Sequence, residues 1–394
     1  MKILFLANRT PYPPYRGDKL KIFNLARRLK AKHELHLLTF AQTEEDLGYK
    51  AELEKVFTKV HFIYLPKWKS ALNCVGALWS STPLQVLYFK SAAMEAKLAE
   101  VLANDAFDAV HVQHLRMSPY LSGNKQVPRI LDMPDAFSLY WERREKAETN
   151  PVLKLVNGFE QKRLLRYEQI MKQYDLSLVC SREDQEYLKE QHNIPNIELL
   201  PNGVDLDTFA AKDHDYTHNK TLLFTGNMDY APNVDAVQYF VSDVLPLIQK
   251  VHPEVQFIIA GQRPVKKVQD LASDHVKVTG FIEDLAAVYD SASVVVAPLR
   301  FGAGTQNKVL EAMAMGVPVV CSNIGFKGLG IESGEGAIMR TEPDTFAAAV
   351  IELLNSEGER RKVGGKGVEV IKSNFGWDAI ALLLEQYLVR ISNK

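Results

Sequence analysis

Short apolar runs alternate with stretches of helical periodicity along the first half of the chain. The apolar runs predict strands, and the periodic stretches predict helices. The strands are expected at 2–7, 33–40, 60–65, 109–112, 129–132 and 176–180, and the helices at 20–32, 94–103 and 160–174. Strands that alternate with helices favour parallel pairing through crossover connections. The pattern therefore predicts a doubly wound α/β domain over residues 1–185.

The same alternation starts again near residue 190, with an apolar stretch at 197–200 and the turn sequence PNGV at 201–204. It predicts a second α/β domain over residues 190–370, and the amphipathic end of the chain predicts a last helix. Ligands of doubly wound sheets bind outside the carboxyl ends of the strands, so we expect a site in a cleft between the domains. The predicted strands are 221–225, 255–260, 276–279, 294–297 and 317–321, and the predicted helices are 234–251, 283–292, 308–315, 345–355 and 377–391.

Composition narrows the class of protein. Of the 394 residues, 46% are apolar and 24% charged, which excludes collagen-like, coiled-coil and disordered chains. Lys and Arg total 47 against 48 Asp and Glu, so the charge gives no reason to expect a nucleic-acid partner. Three scattered cysteines are typical of free thiols in a reducing compartment. The first apolar run is too short for a signal peptide, and we therefore expect a cytoplasmic protein.

A glycine-rich segment near residue 300 carries the strongest candidate chemistry. A predicted strand leads into a loop with Gly302 and Gly304, and the loop opens a helix. Small residues let the backbone approach a ligand, and the free N–H groups of a helix start form an anion site. Arg300 and Lys308 add positive charge, and Glu311 can accept hydrogen bonds from vicinal hydroxyls. These groups suit a diphosphate and the ribose that it carries.

Two common phosphate motifs are excluded. A nucleoside-triphosphate P-loop requires a glycine before the lysine and a hydroxyl residue after it, but Asn307 precedes Lys308 and Val309 follows it. A dinucleotide fingerprint should follow the first strand, where residues 8–18 contain a single glycine. The remaining alternative is a glycine-rich turn whose charges only face solvent.

Several motifs together resemble one family. The segment 296–320, with PNGVD at 201–205 and TGNMD at 225–229, is similar to the retaining glycosyltransferases of family 4, which have the GT-B fold. Residues 11–19 look like the glycine loop of that family's acceptor domain. Residues 230–236 and 306–314 resemble a subgroup found in exopolysaccharide and exosortase-associated gene sets.

This resemblance spans about residues 1–390 and implies both a fold and an activity. The fold is two Rossmann-like domains that face a cleft, with the C-terminal helix crossing back to the N-terminal domain. The activity is transfer of a sugar from a nucleotide diphosphate-sugar donor to a glycan or lipid-linked acceptor in polysaccharide biosynthesis. The family implies retention of the anomeric configuration and no catalytic metal or other cofactor.

The sequence departs from the family at three positions. Ala303 stands where the family usually has an acidic residue, and Asn227 and Asn233 stand where it usually has Arg and Lys. A diphosphate without cations would bind poorly in a partly desolvated cleft. We therefore expect Arg300 and Lys308 to be the catalytic cations, with Asn227 donating a neutral hydrogen bond. The alternative is that both cations lie on a solvated surface loop.

Further donor contacts follow from the resemblance. They are expected from Gly304, Thr305, Gln306 and Glu311, and Gly17 would let the first loop approach the phosphate. Phe281 and Ile282 follow a predicted strand where the family reads the base through main-chain groups, although their side chains can equally belong to the core.

The first domain offers weaker candidates. Either His114 or Gln113 could take the role of the family's histidine, which touches the donor sugar, and His114 could equally be a structural hydrogen-bonding group. Asp132, Asp135 and Arg143 resemble a family stretch near the acceptor, or serve only solvation.

Two other functions stay open. A nucleotide-sugar 2-epimerase shares the GT-B fold, and a catalytically inactive scaffold that binds nucleotide-sugar is compatible with the three departures. No Asp-x-Asp pair lies at a plausible place for a metal, so cationic side chains should stabilise the leaving group. We name no general base, because the leaving phosphate can take the acceptor's proton.

Positive charge is concentrated in the first part of the chain. Residues 1–180 carry 27 Lys and Arg against 19 Asp and Glu, whereas residues 181–394 carry 20 against 29. We expect the acceptor to dock on this half, with an anionic membrane surface on the inner face as a further partner. The alternative is a solvated helix and a packing segment. The residues concerned are Lys19, Lys21, Arg27, Arg28, Lys30 and Lys32 of one helix, and Lys67, Trp68, Lys69, Leu72, Val75, Leu78 and Trp79 of an interfacial patch.

Overall fold

A computed structural model describes residues 1–14, 17–77, 80–211, 214–217, 220–302 and 305–393. The chain divides into two compact units. The first consists of Met1–Asn202 with Trp377–Lys394, and the second of Gly203–Gly376.

The first unit is built on a parallel sheet of seven strands. The strands are β1 (Lys2–Ala7), β2 (Glu34–Ala41), β3 (Lys59–Tyr64), β4 (Ala109–Gln113), β5 (Arg129–Met133), β6 (Leu176–Val179) and β7 (Ile197–Leu199). Their order in the sheet is β3-β2-β1-β4-β5-β6-β7. The central strands β1, β4 and β5 are almost entirely buried, as expected for a sheet that is covered on both faces.

Nine helices connect these strands within the described part of the first unit. They are α1 (Gly17–Leu29), α2 (Glu44–Gly48), α3 (Lys50–Glu54), α4 (Lys67–Asn73), α5 (Leu84–Leu87), α6 (Ala92–Asn104), α7 (Phe137–Ala147), α8 (Pro151–Tyr167) and α9 (Arg182–His192). Leu115–Tyr120 and Glu168–Gln173 form 3₁₀ turns.

The second unit contains a six-stranded parallel sheet. Its strands are β8 (Thr221–Thr225), β9 (Gln256–Ala260), β10 (Val276–Gly280), β11 (Val294–Ala297), β12 (Val319–Cys321) and β13 (Ala337–Met339). They are arranged in the order β10-β9-β8-β11-β12-β13. Since both sheets are parallel and doubly wound, the predicted fold class is confirmed.

The helices of the second unit include one π turn, Phe240–Val244, between its first two α-helices, and a 3₁₀ turn at Lys327–Leu329. The α-helices are α10 (Ala231–Tyr239), α11 (Leu245–Gln249), α12 (Lys266–Gln269), α13 (Leu285–Asp290), α14 (Asn307–Ala314), α15 (Asn323–Phe326), α16 (Pro343–Asn355) and α17 (Glu357–Asn374).

The last helix, α18 (Trp377–Ser392), returns to the first unit. Its apolar face, which includes Trp377, Leu384 and Leu388, is buried in one cluster with Ile22 and Leu25 of α1. This packing explains the amphipathic pattern at the end of the chain and confirms the expected crossing back.

The boundary between the units lies later than the sequence pattern indicates. The apolar stretch near 197 forms β7, which pairs with β6 and so belongs to the first sheet. A short strand followed by a turn looks the same in sequence whether it ends one sheet or begins the next. Along the chain, the first unit therefore ends at Asn202 and the second begins at Gly203.

Helix α8 also begins earlier than predicted. The side chain of Asn150 accepts hydrogen bonds from the N–H groups of Val152 and Leu153, and Pro151 occupies the first turn. The sequence interpretation missed this start although Val152, Leu155 and Phe159 recur at helical spacing. The elements that were not predicted are strand β13 and helices α2–α5, α7, α9, α12, α15 and α17.

The basic helix α1 does not present all its charges to solvent. Lys21 is 3% exposed and donates to Asp132 at 2.8 Å and to the carbonyl oxygen of Leu200 at 2.9 Å. Arg28 pairs with Asp378 and Lys32 with Glu385, both on α18. Lys21 is therefore not available to a membrane surface, and the expectation that the other cations of this segment contact one stays a prediction. None of the described helices combines the length and apolar character that crossing a bilayer requires.

The buried face of α18 should be essential for stability. Replacing the fully buried Leu384 by Ala leaves a cavity and should lower the free energy of unfolding by about 2–5 kcal/mol. The matched variant Leu382→Ala, at a position that is 50% exposed, should change it by about 0.5 kcal/mol or less. Urea unfolding of the full chain measures both values, and equal effects would contradict the packing of α18.

Candidate functional site

The candidate site of the second unit lies where the strand order reverses. Strands β8 and β11 are neighbours, and the chain leaves them toward opposite sides of the sheet. Their carboxyl ends lead into Gly226 and Asn227 after β8, and into the segment from Pro298 to Gln306 after β11. Such a reversal is the usual place for a ligand in an open α/β sheet.

Two glycines allow the backbones to approach closely at this edge. Gly226 and Gly261 have φ angles of +151° and +154°. A Cβ atom on Gly261 would collide with the carbonyl group of Gly226, and one on Gly226 would lie 2.6 Å from the Asn233 amide nitrogen. Any side chain at either position would therefore disrupt the edge.

A chain of hydrogen bonds joins the turn after β8 to helix α14. Lys308 Nζ donates to Asn233 Oδ1 at 2.8 Å, and Asn233 Nδ2 donates to the carbonyl oxygen of Asn227 at 2.9 Å. Gln262 Nε2 donates to Asn227 Oδ1 at 2.8 Å. Asn233, which in sequence marks a missing lysine, is thus the residue that positions Lys308.

Lys308 is a cation in a poorly solvated place. The residue is 7% exposed, and its Nζ lies 4.6 Å from the centre of the Phe224 ring. Burial lowers the pKa of its ammonium group to about 8, an effect that the nearby Glu311 partly offsets. Its hydrogen-bond partner is a neutral amide, so this bond does not neutralise the positive charge.

Glu311, one turn further along α14, has a different set of partners. The Tyr289 hydroxyl donates to Glu311 Oε2 at 2.9 Å, and Thr225 Oγ1 lies 2.7 Å from the same hydroxyl oxygen. Burial raises the pKa of Glu311. Tyr289 therefore fixes one carboxyl oxygen and connects α14 with the end of β8.

Arg300 is not part of this chain of hydrogen bonds in the structure, because it pairs with an aspartate. It forms a two-pronged ion pair with Asp235 of α10, with Nε donating at 2.8 Å to Oδ2 and Nη2 donating to Oδ1. Its guanidinium group also lies 5.0 Å from the centre of the Tyr239 ring. The hydrogen bonds to Asp235 raise the pKa of Arg300. In this arrangement Asp235 neutralises the charge that the sequence reading assigns to an anionic ligand.

The other predicted donor contacts have mixed environments. Phe281 is 62% exposed just beyond β10, whereas Ile282 packs against the apolar core. Thr305 is buried, and Gln306 directly precedes α14. Gly304 lies outside the described residues, as does Ala303, which sequence reasoning singled out as a departure.

The first unit also has a polar edge where its strand order reverses, between β1 and β4. His114 follows β4 with a φ of +77°, stacks on Phe137 at 4.6 Å and accepts from the N–H of Arg116 at 3.3 Å. Burial holds the pKa of His114 well below its usual value, so the ring is neutral. Gln113 donates to the carbonyl oxygen of Asp18 at 2.5 Å.

The three further candidates of the first unit lie in different environments. Asp132 is buried between Lys21 and His111 and supports the sheet, so it is not a surface charge. Arg143 pairs with Glu183 at 2.7 Å. Burial raises the pKa of Asp135, just after β5, to about 7. Gly17, at the start of α1, has open space around its Cα.

Sequence reasoning missed several residues of the second unit's site. Tyr289 and Gln262 orient Glu311 and Asn227, and Asp235 binds Arg300. Tyr289 lies in α13 and Asp235 in α10, and the sequence around each residue gives no indication of these distant contacts. The part of the chain that the structure describes contains no group of three His, Cys, Asp or Glu side chains that could hold a metal ion.

Family models match both halves of the chain. Residues 22–208 match the model described as Glycosyltransferase Family 4, and residues 219–356 match the one described as Glycosyl transferases group 1.

Two relatives illustrate the range of similarity. A Klebsiella pneumoniae protein described as an uncharacterized 44.6 kDa protein in the cps region is 24% identical over 95% of this chain and 96% of its own length. The phosphatidyl-myo-inositol mannosyltransferase of Mycobacterium tuberculosis is 29% identical over 46% of this chain and 51% of that protein. The second alignment thus spans only about half of either chain.

Solved structures share the fold over nearly the whole chain. Anabaena HepE in complex with UDP has a TM-score of 0.72 at 16% identity, covering 99% of this chain and 100% of that one. Sucrose-phosphate synthase from Thermosynechococcus elongatus has a TM-score of 0.72 at 17% identity, covering 99% of each chain. At these identities the likeness concerns the fold.

The unusual state of Lys308 should be visible in the pH dependence of stability. Its pKa is about 8 in the folded chain, against roughly 10.4 for an unfolded lysine, so the unfolded state holds more protons between these values. The free energy of unfolding of the wild type, relative to the variant Lys308→Met, should therefore rise by about 2–3 kcal/mol between pH 8 and pH 10. Denaturant unfolding of both proteins across this range measures the difference, and parallel curves would contradict a lowered pKa.

Proposed function

The chain belongs to the glycosyltransferases of family 4, with the GT-B fold, and we propose that it moves one sugar from a nucleotide diphosphate-sugar to a glycan or lipid-linked acceptor. The reaction proceeds with retention of the anomeric configuration and without a metal ion. The protein acts in the cytoplasm, in the biosynthesis of a polysaccharide or glycoconjugate.

The observation that carries this proposal is the buried cation at the start of α14. Lys308 bonds to a neutral amide, and the first N–H groups of the helix lie beside it. A diphosphate would receive hydrogen bonds from both, and its charge would replace the water that Lys308 has lost. Asn227 and the backbone around Thr305 and Gln306 complete the donor contacts in this proposal.

Glu311 suits the nucleoside. With Oε2 occupied by the Tyr289 hydroxyl, the other carboxyl oxygen can accept from a ribose hydroxyl. The exposed Phe281 follows β10 at the same carboxyl edge of the sheet, and with Ile282 it marks the segment that we assign to the base.

The chemistry follows from where charge develops. The bond between the anomeric carbon and the donor's phosphate oxygen breaks, and negative charge builds up on that oxygen. Lys308 and the N–H groups of α14 are fixed in advance where they can stabilise it. The acceptor hydroxyl oxygen bonds to the anomeric carbon, and its proton passes to the leaving phosphate, so no side chain has to act as the base.

Arg300 has a conditional role in this proposal. It reaches the diphosphate only if its ion pair with Asp235 opens, and it then adds a second cation. Lys308 is therefore the main ligand of the leaving group.

The comparisons support a nucleotide-sugar donor in particular. UDP and UDP-glucose occupy solved structures of Anabaena HepE, which shares the fold. We assign the acceptor to the first unit, where His114, Gln113 and Asp135 lie at the carboxyl ends of β4 and β5.

The donor should reveal itself by stabilising the chain. A thermal-shift screen with UDP, GDP, ADP and CMP should give a clear rise in melting temperature for one nucleotide. Titration of that nucleotide into Lys308→Ala should show affinity weaker by on the order of 100-fold, because a charge-assisted bond in a desolvated site is lost. The effect of Arg300→Ala should be smaller.

The matched control is Lys277→Ala, which removes an exposed lysine of β10 in the same unit and should leave the affinity unchanged within about twofold. Full nucleotide affinity in Lys308→Ala would overturn the assignment of the site.

Metal independence is tested on the turnover of donor, and retention of the anomeric configuration is tested on the product. Turnover of the donor identified above should continue unchanged after treatment with EDTA, and NMR of the new linkage should show the donor's anomeric configuration. Loss of activity with EDTA, restored by a divalent cation, would contradict the proposed chemistry. Epimerised sugar formed from donor alone would instead favour a 2-epimerase, and no reaction with any donor would favour an inactive scaffold.

A further inference from the structure

Exposed apolar side chains are concentrated on two segments of the first unit. Among the described residues, eight large apolar side chains that are at least 48% exposed lie on two segments. One segment is α4 extended to Val75, and the other is the first half of α8. Leu155 is 76% exposed and Val75 is 71% exposed. The eight are Trp68, Leu72, Val75, Val152, Leu153, Leu155, Val156 and Phe159, and we call them the α4–α8 patch.

The two segments are fastened to each other. The backbone N–H of Leu84, in the chain that follows α4, donates to Glu160 Oε1 at 2.7 Å. Arg163, one turn further along α8, donates to the carbonyl oxygen of Ala77. Helix α8 is thus anchored on the segment that follows α4, and the patch is shared by neighbouring elements.

Helix α8 is inverted relative to an ordinary surface helix. Its buried positions in this region are the polar Asn157, Glu160 and Arg163, whereas the apolar residues of its first two turns face outward. A soluble helix normally buries its apolar stripe and exposes its polar one. An outward apolar face of this size marks a binding surface.

Charge decides between the kinds of partner. Exposed lysines stand beside the patch at positions 67, 69, 154 and 162, whereas the neighbouring carboxylates are the buried Glu160 and, from α7, the half-buried Glu145 next to Gly158. A symmetric contact between two copies of this chain would bring these like charges together. An anionic lipid surface is complementary to them, and Trp, Phe and Leu beside Lys are the residues that insert at such a surface.

We propose that the first unit docks on an anionic bilayer through the α4–α8 patch, with the apolar side chains inserted at the headgroup boundary and the lysines on lipid phosphates. The surface differs from the basic helix α1, whose charges are partly buried or paired. Docking does not require the transferase reaction, so the two proposals can fail separately.

Co-sedimentation of the full chain with vesicles tests this proposal without any donor. The wild type should bind vesicles of phosphatidylcholine with phosphatidylglycerol several-fold better than vesicles of phosphatidylcholine alone. Leu155→Glu and Trp68→Glu should each weaken the partition constant about tenfold or more, since an inserted apolar side chain becomes a charge. Lys154→Gln should weaken it about fivefold, and added salt should lower it further.

The matched control is Leu382→Glu, which places the same charge at a position of α18 that is 50% exposed. It should bind vesicles as the wild type does, and circular dichroism should show that all variants are folded. The proposal is overturned if both vesicle types bind equally or not at all, or if Leu382→Glu loses as much binding as Leu155→Glu. A dimer in size-exclusion chromatography that Leu155→Glu dissociates, without vesicle binding, would assign the patch to self-association instead.

Discussion

The hydrogen bond from Lys308 to the neutral side chain of Asn233 is the contact on which the second unit's site depends. It ties the start of α14 to α10 and, through the carbonyl group of Asn227, to the turn after β8. A carboxylate in place of the amide would stabilise the lysine more strongly but would cancel its charge. With an amide as its partner, Lys308 remains a desolvated cation, and this desolvation lowers the pKa of its ammonium group to about 8. Lys308 thus keeps its charge next to a neutral hydrogen-bond partner.

The sequence was sufficient for features that depend on near neighbours. The buried strand β1 is one apolar run, and Lys308 and Glu311 are brought together by the helix that contains both. It was not sufficient for contacts that the fold creates. Asn233 is 75 positions from Lys308, and Asp235 is 65 positions from Arg300, so a missing lysine and a free arginine were the natural interpretations. In α8 the apolar period is present but indicates the wrong buried face, because the polar Glu160 and Arg163 face inward to partners on another segment.

Charge counts along the chain are an equally poor guide to surface potential. Lys21 contributes to the basic first half, yet it is buried with Asp132 and with the carbonyl group of Leu200, where it supports the carboxyl side of the sheet. Removing this lysine would take away the cation that compensates the buried Asp132 carboxylate. Exposed lysines with apolar neighbours are found on α4 and α8.

The contact between Gly226 and Gly261 has a mechanical consequence. The N–H of Gly226 bonds to Ala260, that of Met228 to Gln262, and that of Gly261 to Gly280, so the ends of three adjacent strands are laced together by main-chain bonds. Because Gly226 and Gly261 have no side chains, the two backbones are in direct contact at this edge. A displacement of the backbone beyond β10 is therefore expected to shift Asn227 as well, so that substitutions far from the candidate site can alter its geometry.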